Sequence, residues 1–244
     1  MITKDYMKKL LHRCLEEDGG LGGDVTTNSL RFSDEIGKFM LNVRGQAIVA
    51  GLEPIAQTID LICDVTIDLL HHDGDLVEDE NIATIEGAVK DILLAERTVL
   101  NILGYASGVA TQTHRFVEKV QGIDCAICDT RKTTPGLRLL DKYAVVCGGG
   151  TSHRMGLHDA ALYKDNHLSE LGDLTKELGA AIVCVKENNE LKFVEVEVDS
   201  LNQLEKVLLL PVDIILLDNM PPELLRQAVE LRDASGSSSL LEAS

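Results

Sequence analysis

Apolar and polar positions follow two different patterns along the chain. Up to about residue 108, short alternating or continuous apolar runs predict strands at residues 37–51, 65–70 and 82–85. Apolar residues at helical spacing predict helices at residues 3–17, 52–63, 92–104 and 109–120. The first helix should end at Gly19-Gly20, and a Gly-rich loop should follow at residues 21–30. This part of the chain is therefore predicted to be a strand-rich α+β domain.

Beyond residue 122, predicted strands and helices alternate. The predicted strands are residues 123–128, 160–163, 193–198, 214–217 and 240–242. The predicted helices between them are residues 137–146, 171–185, 201–209 and 221–232, the second of which should end at Asn188-Asn189. Such alternation implies a parallel sheet, and the sheet would be a β/α barrel if it closes.

Composition excludes several functional classes. The chain has a formal net charge of −17 and only 3% aromatic residues, which disfavours nucleic-acid binding. Its sequence contains no apolar run of about 18 residues and no continuous apolar stretch at the N-terminus, so we expect no membrane span, no signal peptide and a cytoplasmic location. Its scattered cysteines should be reduced thiols. Cys125 and Cys128 lie on a predicted strand without a second pair at zinc spacing, so no metal site is expected there.

Positive charge is concentrated in one segment of this acidic chain. Between residues 131 and 164, two acids accompany six cations: Arg131, Lys132, Arg138, Lys142, Arg154 and Lys164. A Thr-Thr-Pro-Gly turn and the Gly148-Gly149-Gly150 run interrupt them, and both suit loops that bring backbone close to a ligand. We interpret the segment as a confined site for a small anion rather than a solvated charged face.

Charged and polar residues also follow four successive predicted strands. They are Asp129, Thr130, Arg131 and Lys132; Lys164, Asp165, Asn166 and His167; Glu197 and Asp199; and Asp218 and Asn219. In β/α barrels the functional side chains lie at the carboxyl ends of the strands, so this distribution indicates a functional site. Arg97 and Glu96 lie on a strongly apolar predicted helix, where they are either satisfied internally or presented to a ligand.

Four motifs carry a resemblance to a known family: AERTVLNILGYASGVAT, DTRKTTPGLRLLDKYAVVCGGGTSHRMGLHDAALYKDNH, VEVEVDSL and ILLDNM. From about Gly23 to its end, the chain resembles the quinolinate phosphoribosyltransferases. The resemblance implies an α/β fold with an N-terminal α/β sandwich domain over residues 1–108 and an open β/α barrel over residues 109–244. It implies transfer of phosphoribose from phosphoribosyl pyrophosphate to quinolinate with loss of CO2, giving nicotinate mononucleotide and pyrophosphate in NAD biosynthesis. It also implies Mg2+ as cofactor and a homodimer or higher homo-oligomer.

The resemblance assigns the site residues. The substrate-binding set is Arg97, Arg131, Lys132, Thr133, His153, Arg154, Lys164, Glu197, Asp218 and Ser244. Within it the implied catalytic residues are Lys132, Lys164, Glu197 and Asp218, and the implied Mg2+ ligands, acting through the substrate, are Glu197 and Asp218. Arg97 would act from the neighbouring subunit. These residue types suit the chemistry, because guanidinium groups bind carboxylates in bidentate fashion and Mg2+ prefers carboxylate and phosphate oxygens.

Three alternatives stay open. The acceptor could be nicotinate or another ring acid, Lys164 could be a Schiff-base nucleophile, or the chain could be a non-catalytic or incomplete protein. In the family, the segment resembling residues 241–244 continues into a Ser-Gly-Gly turn and a further strand, whose loops hold the 5-phosphate of the ribose through backbone N–H groups. Only the Ser of that turn, Ser244, is present. We therefore expect a barrel that is incomplete at its C-terminus, keeps the quinolinate site, binds phosphoribosyl pyrophosphate weakly and turns over slowly or not at all.

Overall fold

The computed structural model describes residues 2–30, 35–187 and 190–244. The chain divides into two compact units, Met1–His153 and Arg154–Ser244. The predicted domain boundary after residue 108 falls inside a continuous helix of the first unit, and that boundary stays a prediction. None of the helices in the described residues is long and apolar enough to cross a membrane.

The first unit contains antiparallel sheets and helices. Its helices are α1 (Lys4–Gly19), α2 (Val25–Asn28), α3 (Leu52–Ala56), α4 (Val89–Lys119) and α5 (Arg138–Cys147), with a 3-10 turn at Ile59–Leu61. Its strands are β1 (Ile36–Asn42), β2 (Gln46–Ile48), β3 (Val65–Leu69), β4 (Leu76–Glu78) and β5 (Asn81–Ala88). One sheet has the order β1-β5-β3 and the other pairs β2 with β4, all antiparallel.

Helix α4 is the longest element of the first unit. Two helices were predicted here, but the chain forms one, because a buried face continues past Gly104 through Ala106 and Ala110. Each glycine costs a helix about 1 kcal/mol relative to alanine, and burial of that face outweighs the cost. Glu96 and Arg97 lie on the exposed face of the helix.

Several predictions in the first unit were wrong. The helix predicted at residues 52–63 is broken into α3 and the 3-10 turn. The predicted Gly-rich loop contains α2, whose first N–H groups bond to the side chain of Asp24. Strand β4 was not predicted. Residues 123–128 form no strand; Cys128 makes only an isolated parallel bridge with Thr151. Their alternating pattern is local, whereas a strand also needs a neighbour with which to pair.

The second unit is a parallel α/β arrangement. Its strands are β6 (Ala161–Tyr163), β7 (Val194–Val198), β8 (Ile214–Leu217) and β9 (Leu240–Ala243), in that order in one parallel sheet. Its helices are α6 (Asp165–Leu168), α7 (Leu174–Lys186), α8 (Leu201–Val207) and α9 (Pro222–Ser235). The predicted alternation of strands and helices is confirmed, although α6 was not predicted. The predicted helix end at Asn188-Asn189 lies outside the described residues.

Strand β7 shows how the pleat separates core from site. Its sequence VEVEV buries Val194, Val196 and Val198 in the apolar core of the unit, and all three are at most 1% exposed. Successive side chains of a strand point to opposite faces, so Glu195 and Glu197 share the other face. The parallel pairing with β6 and β8 also places the carboxyl ends of these strands along the same edge of the sheet.

Candidate active site

The first unit presents a loop of residues 130–136, the cationic loop, just before α5. Its Arg131 and Lys132 side chains are exposed, and Thr133 is half-buried. Within the described part of the chain, neither Arg131 nor Lys132 forms a salt bridge. Short-range bonds shape the loop: the Thr133 N–H donates to the Arg131 carbonyl at 3.0 Å and the Lys132 N–H to Thr130 Oγ1 at 2.9 Å. Two cations are therefore available to an anion.

A buried ion pair lies at the start of the cationic loop. Lys142 is 3% exposed and pairs with Asp129, which is 6% exposed. The same oxygen, Asp129 Oδ1, accepts the N–H of His153 at 2.9 Å, and the Asp129 N–H donates to the Thr151 carbonyl at 3.1 Å. Lys142 therefore belongs to the scaffold, although its charge contributed to the cationic segment in the sequence. The sequence did not reveal that Asp129 holds the backbone of His153, a predicted site residue.

A second polar cluster lies at the end of the cationic loop. Asp141, which is buried, accepts the hydroxyl of Tyr105 at 2.6 Å and the N–H of Thr134 at 2.9 Å. The oxygens of the Tyr105 and Thr134 hydroxyls are 2.7 Å apart. Burial and the hydrogen bond to Asp141 raise the pKa of Tyr105 above its ordinary value, so this hydroxyl remains a donor at neutral pH.

The glycine run after α5 is used for packing. A Cβ at Gly148 would lie 2.3 Å from the Ala110 carbonyl oxygen, and one at Gly150 would lie 2.9 Å from Thr113. Both glycines let the chain approach α4 closely, a requirement that no larger residue could meet without movement. The close approach to α4 gives these two glycines a packing role, and the expectation that the run brings backbone close to a ligand stays a prediction.

In the second unit, four predicted site residues lie at the carboxyl ends of four parallel strands. Lys164 follows β6, Glu197 is the last residue but one of β7, Asp218 follows β8 and Ser244 follows β9. Lys164 Nζ lies 2.5 Å from Glu197 Oε2, and Ser244 Oγ donates to Asp218 Oδ1 at 3.0 Å. The sequence prediction that these side chains lie at strand ends is confirmed.

Lys164 is held at its backbone as well as at its ammonium group. Its N–H donates at 3.0 Å to Nδ1 of His167, in the short helix α6. Nδ1 can accept this bond only when it carries no proton. Asp218 is oriented in a similar way, because Asn219 Nδ2 donates to its Oδ2 at 3.0 Å.

Arg154 and Glu195 are buried, in contrast to the exposed Arg131. Arg154 is 6% exposed and its Nη1 lies 3.4 Å from the Ala160 carbonyl oxygen; Glu195 is 1% exposed. Glu195 was not among the predicted site residues, because the resemblance assigned only Glu197; alternation places both glutamates on one face and does not separate them.

Asp159 fixes the backbone after Arg154 by accepting the N–H groups of Met155 and Gly156. Although burial opposes its charged form, these bonds and Lys192 at 3.0 Å hold the pKa of Asp159 below its usual range.

The donor set at the strand ends fits a hard divalent cation. Glu197 supplies carboxylate oxygens from β7, and Asp218 supplies them from the position that follows the neighbouring strand β8. One of the Glu197 oxygens also contacts Lys164 Nζ. The Asp218 carboxylate accepts hydrogen bonds from the neutral side chains of Ser244 and Asn219, and neither of them compensates its charge. Mg2+ prefers one or two carboxylates together with phosphate oxygens and water.

Both parts of the chain match family models. Residues 24–107 match the N-terminal domain of quinolinate phosphoribosyl transferase, and residues 109–244 match its C-terminal domain. A nicotinate-nucleotide pyrophosphorylase [carboxylating] of Mycobacterium leprae is 36% identical in an alignment that covers 98% of this chain and 84% of that protein. A probable enzyme of the same name from Methanocaldococcus jannaschii is 40% identical in an alignment that covers 95% of this chain and 80% of that protein.

Solved structures agree with this match. The structure of NadC from Streptococcus pyogenes has a TM-score of 0.90 and 35% sequence identity, and the match covers 100% of this chain and 85% of that one. The nicotinate-nucleotide pyrophosphorylase from Francisella tularensis has a TM-score of 0.89 and 35% identity, with coverage of 100% and 84%. The fold described above is therefore that of these proteins.

Proposed function

The chain belongs to the quinolinate phosphoribosyltransferase family, and we infer that it transfers phosphoribose from phosphoribosyl pyrophosphate to quinolinate. The ring acid loses CO2, and the products are nicotinate mononucleotide and pyrophosphate, in NAD biosynthesis. The observation that carries this conclusion is the row of Lys164, Glu197 and Asp218 at the ends of parallel strands in a chain that matches both domains of the family.

Arg131 and Lys132 are proposed to bind the two adjacent carboxylates of quinolinate. Both side chains are exposed, and no salt bridge within the described residues competes with the ligand. A guanidinium group binds a carboxylate through two parallel hydrogen bonds, which fixes its orientation as well as its position. Thr133, His153 and Arg154 are the other residues proposed for this substrate, and Arg97 is proposed to serve it from a neighbouring subunit.

Glu197 and Asp218 are proposed to face the ribose and its pyrophosphate. As the bond to pyrophosphate breaks, the ribose gains positive charge, which a nearby carboxylate stabilises. We propose that the same two residues hold Mg2+ through the substrate, where it would neutralise charge on the departing pyrophosphate. The Lys164 ammonium group contacts Glu197, and the Lys164 backbone N–H donates to His167. An ammonium group has three N–H donors, so Lys164 is proposed to donate to phosphate or carboxylate oxygens as well. Ser244 is proposed to contact the ribose phosphate.

The active form of the protein is proposed to be a homodimer or higher homo-oligomer in the cytoplasm.

The substitution Asp218→Asn tests the assignment of Asp218 to the ribose and Mg2+ rather than to quinolinate. The change keeps the shape of the side chain and removes its charge. The KM for phosphoribosyl pyrophosphate and the half-saturating Mg2+ concentration should each rise about tenfold or more, because a charge-assisted contact contributes roughly 1.5–3 kcal/mol. Quinolinate affinity of the free protein, measured by calorimetry, should change less than about twofold.

Glu205→Gln is the control for Asp218→Asn. Glu205 is an exposed carboxylate of α8, in the same unit, and is not among the residues at the strand ends. Glu205→Gln should leave the affinity for both substrates unchanged. If Asp218→Asn weakened quinolinate alone, the assignment of Asp218 to the ribose and Mg2+ would be wrong.

A further inference from the structure

We propose that Asp141 and Lys142, adjacent residues of α5, are positioning residues that clamp the cationic loop at its two ends. Lys142 acts through Asp129 at the start of the loop, and Asp141 acts through Tyr105 and Thr134 at its end. The clamp would fix Arg131 and Lys132 for an anionic substrate. That last step rests on the proposed function, whereas the clamp itself rests on contacts within the first unit.

The clamp at the start of the loop fixes two segments at once. Lys142 and Asp129 are almost fully buried, so their attraction is little screened by water. Asp129 Oδ1 also accepts the His153 N–H at 2.9 Å, and Lys142 Nζ lies 3.5 Å from the His153 carbonyl oxygen. The pair therefore ties the residue before the cationic loop to His153. Asp129 Oδ2 is buried and has no hydrogen-bond partner among the described residues. Lys142, which contacts the other oxygen, is therefore the cation that balances the charge of the Asp129 carboxylate.

The clamp at the end of the loop joins three elements. Asp141 from α5 accepts bonds from Tyr105 of α4 and from the backbone of Thr134. Arg138 Nε adds a bond of 3.2 Å to Thr133 Oγ1, next to the two proposed ligand cations. The Tyr105–Asp141 bond connects residues that are 36 positions apart in the chain, so it does not arise from local loop geometry.

Adjacent residues can serve both ends because of helix geometry. Successive side chains leave an α-helix about 100° apart, so Asp141 and Lys142 reach different parts of the loop from one rigid turn. Asp141 and Lys142 are both buried, as are the neighbouring core residues Leu140 and Ala144 of the same helix. The bonds within the cationic loop join residues two positions apart and do not attach the loop to the rest of the unit. Its attachment matters, because a displacement of about 1 Å can cost a reaction about a hundredfold.

The competing interpretation is that these contacts only stabilise α5. Tyr143 provides an internal comparison, because its hydroxyl donates at 2.6 Å to Asp73, another mainly buried carboxylate, from the same helix. Asp73 also accepts the N–H groups of Gly51 and Leu52, far from the cationic loop in sequence. A purely structural role predicts that loss of either tyrosine hydroxyl has the same consequences.

The test compares Asp141→Ala and Tyr105→Phe with the control Tyr143→Phe. Hydrogen exchange, followed by mass spectrometry on peptides that cover residues 130–137, reports the clamp without reference to activity. Calorimetry with quinolinate reports its effect on the ligand. Exchange should be faster in both Asp141→Ala and Tyr105→Phe. The quinolinate Kd should rise about tenfold in Asp141→Ala, which removes two hydrogen bonds of the clamp, and about threefold in Tyr105→Phe, which removes one, because only part of each loss is passed on to the ligand. Tyr143→Phe should change neither measurement.

Each outcome decides a separate point. Wild-type exchange in Tyr105→Phe would overturn the clamp, even if Asp141→Ala failed to fold. Equal effects of Tyr105→Phe and Tyr143→Phe on exchange and affinity would establish the structural role instead and overturn the proposal. Faster exchange in Tyr105→Phe with unchanged quinolinate affinity would retain the clamp but remove the cationic loop from the quinolinate site, which would contradict that part of the proposed function.

Discussion

Replacing Arg131 with alanine should weaken quinolinate binding by about ten- to hundredfold. The expected loss corresponds to a charge-assisted, bidentate contact of roughly 1.5–3 kcal/mol. Arg131 is exposed and forms no salt bridge within the described residues, so the ligand need not displace an internal partner. Calorimetry with quinolinate measures the effect directly, and Arg131→Lys should recover only part of the affinity because an ammonium group lacks the planar fork.

Arg115→Ala is the control for Arg131→Ala. Arg115 is an exposed arginine of α4 whose side chain contacts Gln112 at 3.4 Å. Its loss removes the same charge from the first unit without touching the cationic loop. Quinolinate affinity that stays at the wild-type value in Arg131→Ala, or that falls equally in both variants, would show that Arg131 does not contact the substrate.

Replacing Lys142 with methionine should lower the melting temperature by roughly 10 °C. The change leaves Asp129 as a buried charge without its cation, and breaking a buried pair in this way costs about 3–5 kcal/mol. In a protein of this length each kcal/mol shifts the melting temperature by about 2–4 °C. The measurement is scanning calorimetry. A chain with two compact units need not unfold in a single step, so the transition to be compared is the one that contains the unfolding of the first unit.

A second substitution separates the lost charge pair from lost packing. Asp129→Asn in the Lys142→Met background removes the stranded charge, so much of the stability should return. Lys9→Met breaks an ion pair with Asp5 in which both side chains are more than 70% exposed, and it should shift the melting temperature by less than about 2 °C. A shift of the melting temperature by less than about 2 °C in Lys142→Met would contradict the claim that the buried Lys142–Asp129 pair stabilises the first unit.

The second unit was the more predictable part of the fold. In β7 the alternation of valine and glutamate encodes both the strand and the face that each side chain takes, so the pattern places Glu197 opposite the core. Parallel strands end at one edge of their sheet, and strand ends can be read from the sequence. Lys164, Glu197 and Asp218 could therefore be placed at one edge of the sheet, together with their polar neighbours, from positions in the chain. The family resemblance was needed to single out these three.

The first unit was less predictable because its decisive contacts are distant in sequence. Residues 123–128 have the composition of a strand, but no neighbouring strand pairs with them beyond the single bridge at Cys128 in the described chain. The Tyr105–Asp141 and Asp129–Lys142 contacts depend on how α5 packs, and no periodicity encodes them. Charge counting included Lys142 among the six cations of the segment, although burial makes it part of the scaffold.

The most direct test of the proposed activity is an assay of the products with two acceptors in parallel. Quinolinate labelled in the carboxylate that is lost is incubated with the protein, saturating phosphoribosyl pyrophosphate and Mg2+, and nicotinate replaces quinolinate in the second arm. We expect nicotinate mononucleotide and labelled CO2 in equal amounts from quinolinate, and little nucleotide from nicotinate. Nucleotide formed from nicotinate at an equal or higher rate, with no labelled CO2 released in the quinolinate arm, would contradict the account.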